Sequence, residues 1–323
     1  MHAAVVRTAG TPPEYAEHPT PLPAEGSTVV RVTAAPVVPL DLLCASGSSY
    51  FGVPRTPYVP GVQGVGVAER SEVLEPGTRV WFATSAGMKP CDGSLAERCL
   101  VVDDDLVPLT TSVDDVAVAA LGLSAVAAWM ALTWRGGFRA GETVLVLGAG
   151  GAVGQVAVGA ARALGAARVV AACRSEASAD RARAAGADRV VLLTDDEGQL
   201  AARFEAALGG TADVVVDPVF GTPASAAARV LSPAGRLVNL GGSAGDRATF
   251  SSAMLRSGSL DLRGYTNNAL TPAQRREALT ALLRHAEDGA VAVAHDARPL
   301  SEVADAWRVQ QAQDAGVRLV LVP

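Results

Sequence analysis

Hydrophobic and polar positions along the chain fall into two textures. Up to about residue 112, short β-branched runs recur: AAVV at 3–6, STVVRVTA at 27–34, GVQGVGVAE at 61–69 and GTRVWFAT at 77–84. Turn signals at Glu25-Gly26 and Glu75-Pro76-Gly77 separate them. Several short strands at this spacing predict an all-β barrel or sandwich with little helix. Pro12, Pro13, Pro19, Pro21 and Pro23 predict a stiff, extended surface connector between the first two runs.

From about residue 113 the pattern changes. The Pro-free, Ala- and Leu-rich stretch 114–134 predicts a long helix. Apolar runs then alternate with Ala-rich ones: TVLVLGAG (143–150), ARVVAACR (167–174), SADRARAAGA (178–187), DRVVLL (188–193), ADVVVDPV (212–219), PASAAARVLS (223–232) and GRLVNLGG (235–242). Near-continuous apolar strands between helices predict a parallel sheet covered on both faces. Thr271-Pro272-Ala273-Gln274 combines an N-cap, Pro in the first turn and Gln three residues after the cap, starting a helix that runs to about Asp288. A second helix over Ser301–Gln313 and a closing strand, GVRLVLVP, complete the tail. One strand and two helices cannot bury a core of their own, so the tail is expected to pack back on an earlier domain.

Composition narrows the class. With 323 residues, 49% hydrophobic and 19% charged, the chain suits two globular domains. A net charge of −6 argues against a nucleic-acid partner. No run of about 18 uninterrupted apolar residues is present to predict a membrane span, and MHAAVVRTAG lacks the pattern of a secretory leader. Cys44, Cys91, Cys99 and Cys173 lack CxxC spacing, which suits reduced thiols and a cytoplasmic setting.

The strongest chemical signal is the turn Gly148-Ala149-Gly150-Gly151-Ala152-Val153-Gly154, placed between an apolar strand and a helix. Glycines there let the backbone approach a pyrophosphate, and the helix N-terminus offers N–H groups to it. The turn fits G-x-G-x-x-G imperfectly, because Ala149 takes the first Gly position; Gly148-x-x-Gly151-x-x-Gly154 fits equally well. The next strand ends in Cys173-Arg174-Ser175, with no carboxylate until Glu176. Arg174 and Ser175 suit a ribose 2′-phosphate, so NADP(H) is the expected cofactor, although Glu176 can approach a 2′-hydroxyl.

With these residues placed, the chain resembles the medium-chain dehydrogenase/reductase superfamily, in its zinc-independent quinone oxidoreductase and enoyl reductase branch. The matching stretches are PYVPGVQGVGV (57–67), LGLSAVAAWMAL (121–132), ARAAGADRVV (182–191), VVVDPV (214–219) and GRLVNLGG (235–242). The resemblance implies an α/β fold: a GroES-like β-barrel domain over 1–118, a Rossmann doubly wound domain over 119–262, and a tail over 263–323 returning to the first. It also implies an active-site cleft where the domains meet and a homodimer. Cofactor contacts are implied at Ser124, Asp217, Asn239, Leu240, Gly241 and Tyr265, beside the glycine turn (Gly148, Gly150, Gly151, Ala152, Val153, Gly154), Arg174 and Ser175.

Zinc-bearing relatives carry a Cys in the segment matching 35–41 and Gly-His-Glu where Gly61-Val62-Gln63 stands. This chain has Pro36, Val37, Val38 and Pro39 in the first, so no metal is expected. Many zinc-free relatives carry Asn-x-x-Asp followed two residues later by Tyr. Here Asp41 is kept, while Val38 and Leu43 stand at the Asn and Tyr positions. Asp41, Tyr50 and Gln63 are the catalytic candidates, with Trp81, Phe82 and Met88 as an apolar wall or ordinary core. The expected reaction is NADPH-dependent reduction of a small quinone or α,β-unsaturated carbonyl. The alternatives are reduction of an enoyl thioester on CoA or a carrier protein, and an NADPH-binding sensor without turnover.

Overall fold

The computed structural model describes residues 1–312 and 316–323. The chain divides into two compact units: Met1–Leu123 with Ala294–Pro323, and Ser124–Val293.

In the first unit, β1 (His2–Val5) pairs antiparallel with β2 (Glu14–Glu17). The supposed connector is thus partly a strand. The buried backbone of β1 needs pairing, and the prolines only flank the four residues that provide it. There follow β3 (Ser27–Pro36), α1 (Pro39–Ser46), β4 (Gln63–Arg70), β5 (Arg79–Ala83), β6 (Arg98–Val102), β7 (Leu106–Pro108) and α2 (Asp115–Met130). Helix α1 was not foreseen. Pro39 opens it, the Asp41 carboxylate accepts from Val38 N at 2.9 Å, and Gly47 closes it in the left-handed region.

The second unit alternates strand and helix: β8 (Thr143–Leu147), α3 (Ala152–Ala163), β9 (Arg168–Cys173), α4 (Glu176–Ala184), β10 (Arg189–Leu192), α5 (Glu197–Leu208), β11 (Ala212–Asp217), α6 (Gly221–Ala228), β12 (Leu231–Asn239), α7 (Ser252–Gly258), β13 (Asp261–Gly264) and α8 (Pro272–Glu287). All six strands are parallel, in the order β10-β9-β8-β11-β12-β13. The strand order therefore reverses between β8 and β11, where open α/β sheets bind ligands. Val144, Leu145, Val146 and Leu147 of β8 are all fully buried, as a strand covered on both faces requires. Helix α8 begins as its sequence predicts: Thr271 Oγ1 accepts from Gln274 N, and Gln274 Oε1 accepts from Thr271 N.

The chain ends with β14 (His295–Pro299), α9 (Val303–Ala312) and β15 (Arg318–Val322). The expected end of the last helix at Gln313 lies outside the described residues. Strand β15 pairs antiparallel with β3, and the first unit's main sheet runs β14-β15-β3-β4-β5-β7, with β6 also on β3. The boundaries expected at 118/119 and 262/263 move to 123/124 and 293/294. Strand β13 completes the parallel sheet beside β12, and α8 packs on α3, so residues 263–293 stay with the Rossmann unit.

The helical stretch Asp115–Arg135 is long and apolar enough to cross a membrane by length and composition, which the count of uninterrupted apolar residues had not flagged. Two thirds of its most apolar window (67%) is buried inside the protein, as in a core helix. Its path is broken at Gly122 (φ 37°, ψ −133°).

Candidate functional site

The glycine turn sits at the C-terminal end of β8. Gly148 takes φ 62°, and a Cβ on it would lie 2.6 Å from Val219 Cγ1 in the loop after β11. A Cβ on Gly154 would overlap the Gly148–Ala149 backbone, so α3 starts tight against the strand. Gly151 caps α3 with no side chain, so no cap side chain takes up the first-turn N–H groups of Ala152, Val153 and Gly154, an arrangement that suits an anion. The Gly150 carbonyl is held from behind, by Gln155 Nε2 at 3.0 Å and Arg181 Nε at 2.9 Å. These residues fit a dinucleotide pyrophosphate.

Beside it, Arg174 is exposed just past β9, and Ser175 caps α4 by accepting from Ser178 N at 3.3 Å. Glu176 turns to Arg183 of its own helix, at 3.5 Å. Across the switch point stands Asp217, expected as a cofactor contact. It is fully buried, and its carboxylate accepts from Val219 N (3.0 Å), Phe220 N (2.7 Å) and Asn239 Nδ2 (3.1 Å). Burial pushes this carboxyl upward against those hydrogen bonds. Asn239 Nδ2 also donates to Gly241 O at 2.7 Å, and Leu240 N donates to Asp217 O at 2.9 Å. Asp217 and Asn239 therefore shape the ends of β11 and β12. Tyr265 N donates to Asn239 O, and its hydroxyl donates to Asn267 Oδ1 at 2.6 Å. Ser124 is half-buried at the start of this unit.

The first unit gathers a polar cluster in its core. Asp41 is 1% exposed; Oδ2 accepts from Val38 N and Oδ1 from Val62 N, both at 2.9 Å. Burial pushes its carboxyl up to about 6, against the pull of these N–H groups and of Arg318. Arg318, also buried, donates to Val37 O at 3.1 Å; burial lowers its guanidinium to about 10, opposed by Asp41. Cys44 and Tyr58 lie close enough to feel the Asp41 charge, but burial is the larger cause of their upward shifts, to about 11 for Cys44. Arg318 and Tyr58 escaped the reading of the sequence. A lone Arg inside the apolar run VRLVLV was the available signal for the first.

Gln63 is fully buried, and its Oε1 accepts from Leu123 N at 2.6 Å and Trp81 Nε1 at 3.3 Å. It pins the break in α2 from inside the core through Oε1, while its buried Nε2 donor has no hydrogen-bond partner. Tyr50 is the third catalytic candidate. Its side chain is 78% exposed, with the ring against Phe51. Trp81 and Phe82 are fully buried core.

A six-stranded parallel sheet with a phosphate-ready turn, in one chain with a mixed β unit, defines a Rossmann-fold protein of the two-unit dehydrogenase type. The Zinc-binding dehydrogenase family matches residues 152–284. Quinone oxidoreductase of Lama guanicoe is 37% identical over 147 residues, 44% of this chain and 43% of its own length. A phenolphthiocerol/phthiocerol polyketide synthase component of Mycobacterium tuberculosis is 30% identical over 268 residues, 77% of this chain and 11% of its own length. The chain thus spans less than half the length of these curated relatives. Among solved structures, a probable oxidoreductase from Mycobacterium abscessus is 30% identical, covering 100% of this chain and 99% of its own, with a TM-score of 0.85. A mycobacterial quinone oxidoreductase, 25% identical, superposes over 100% of both chains with a TM-score of 0.89. A mycobacterial protein complexed with NADPH, also 25% identical over 100% of both chains, gives 0.87. The chain belongs to the medium-chain dehydrogenase/reductase family, which includes the quinone oxidoreductases.

The residues do not fit the zinc in the matching family's description. Among the described residues, no three of His, Cys, Asp and Glu gather as a metal site. Asp41 spends its oxygens on backbone N–H groups beside the Arg318 charge, which opposes a divalent cation, and Gln63 is a neutral amide whose Oε1 already accepts two hydrogen bonds.

Proposed function

We propose that the chain is a metal-free, NADPH-dependent oxidoreductase that passes hydride to a small quinone or α,β-unsaturated carbonyl. The carrying observation is the end of β9: Arg174 stands exposed there, while Glu176, the first carboxylate after the strand, is paired with Arg183. That arrangement favours a 2′-phosphate dianion over a bare 2′-hydroxyl. The NADPH complex of a similar structure supports it.

Bound there, NADPH supplies a hydride. The chain's own residues do the rest. First-turn N–H groups of α3 hold the pyrophosphate, and Arg174 with Ser175 holds the 2′-phosphate. The Asp217–Asn239 clamp fixes the ends of β11 and β12. A conjugated acceptor suits a site without a Lewis acid, because it delocalises the arriving charge. Asp41 holds two backbone N–H groups, the Gln63 carboxamide has no proton to give up and Tyr50 is exposed at a loop tip, so the proton comes from water. A homodimer is part of this reading, supported by the exposed edge strand β13.

A second reading, reduction of an enoyl thioester, is favoured by the likeness to the polyketide synthase component over 77% of this chain. The test is NADPH oxidation, followed by nicotinamide absorbance, with EDTA present and a panel of quinones, enones and enoyl thioesters. Turnover of quinones or enones is expected. Preference for the thioesters selects the second reading, and saturable NADPH binding without oxidation by any acceptor refutes both in favour of a sensor.

A further inference from the structure

We propose that Phe220 is a cofactor-contact residue, an aromatic wall against which the adenosine half of the dinucleotide packs; this rests on the cofactor reading above. Phe220 has φ 57° and ψ −153°, at the edge of a region essentially confined to glycine. A bulky side chain there is strained, and glycine would take the same backbone shape without strain.

The surroundings hold the strain in place. The Asp217 carboxylate grips Val219 N and Phe220 N, and Asn239 grips Asp217 in turn. The loop lies at the C-terminal end of β11, next to β8, where the strand order reverses. Its Val219 abuts Gly148 of the phosphate turn. The Phe220 ring packs against the core cluster of the parallel sheet, with its centroid 6.3 Å from that of Phe250. It is only half-buried, however, so part of it stays open. Strand β9, on the far side of β8 from β11, leads into Arg174 and Ser175, which the cofactor reading gives to the adenosine ribose. A partly open aromatic face at the switch point, on the loop that abuts the phosphate turn, matches the flat, apolar adenine ring, and base stacking is the interaction such a face provides.

The full chain and its Phe220→Gly and Phe220→Leu variants are titrated by calorimetry with NADPH and with 2′-phospho-ADP-ribose, which lacks the nicotinamide. Melting temperatures are measured without ligand. We expect Kd for both ligands to rise about tenfold in Phe220→Gly. A loss for NADPH with 2′-phospho-ADP-ribose unaffected overturns the adenosine placement, and unchanged Kd for both overturns the contact itself. If Phe220→Gly melts lower than wild type, Phe220→Leu decides, since it keeps apolar volume for the core and removes only the ring. Wild-type Kd in that variant refutes the proposal. A wild-type protein that binds neither NADPH nor NADH overturns the cofactor reading itself, which separates that failure from this one.

Discussion

Replacing Asp41 by Asn should reverse the sign of its effect on stability between acid and neutral pH. Burial raises the Asp41 carboxyl from 3.8 to about 6 in the folded state. The folded protein therefore binds this proton more tightly than the unfolded chain. The stability so conferred is fully present below about pH 4 and is lost as pH rises through about 6. At about 1.4 kcal/mol per pH unit, the roughly two-unit difference is worth about 3 kcal/mol. Asn resembles the protonated acid in charge but cannot accept from both Val38 N and Val62 N, which leaves one buried donor unmet at about 1–3 kcal/mol. Asp41→Asn should thus be less stable than wild type at about pH 3.5 by about that amount. By pH 7.5 it should be equal or up to about 2 kcal/mol more stable, once the ionised Asp41 costs the wild type its 3. Urea unfolding at a series of pH values, followed by circular dichroism, measures the gap. A gap that stays constant across this range would refute the reasoning, because Asp41 would then not titrate there.

Arg174→Ala removes the positive charge that the proposed site offers directly after β9, so Kd for NADPH should rise about tenfold or more while Kd for NADH is unmoved. Equal effects on the two cofactors, measured by fluorescence titration, would contradict 2′-phosphate recognition. Gly122→Ala should lower stability by about 3 kcal/mol or more, because the residue needs φ 37° and its Cβ would overlap the Gln63 carboxamide. Thermal melting checks it, and a variant as stable as wild type would mean that the break in α2 is not held as described.

Local pattern was enough for the Rossmann unit. The central strands β8, β9 and β11 bury both faces, so their apolar runs are nearly continuous, and each βα turn is closed by residues adjacent in sequence. The glycine turn, the Thr271 cap and the parallel sheet were therefore legible, while the strand order and the polar edge strand β13 were not. The same locality made Arg174 readable, since it follows its own strand by one residue. Helix α1 and strands β2 and β14 were not legible, being short elements that pairing or capping stabilises more than propensity does. Nor was the cluster around Asp41, because Arg318 reaches it from the far end of the chain once β15 pairs with β3. Whether Asp217, Gln63 and Tyr50 could meet a ligand was likewise a tertiary matter. Residue type names the groups a side chain can bond, but burial and already engaged partners decide which of them are left for chemistry. Phe220 shows this most sharply, since its identity predicts core packing and only the fold reveals a ring held on a backbone suited to glycine.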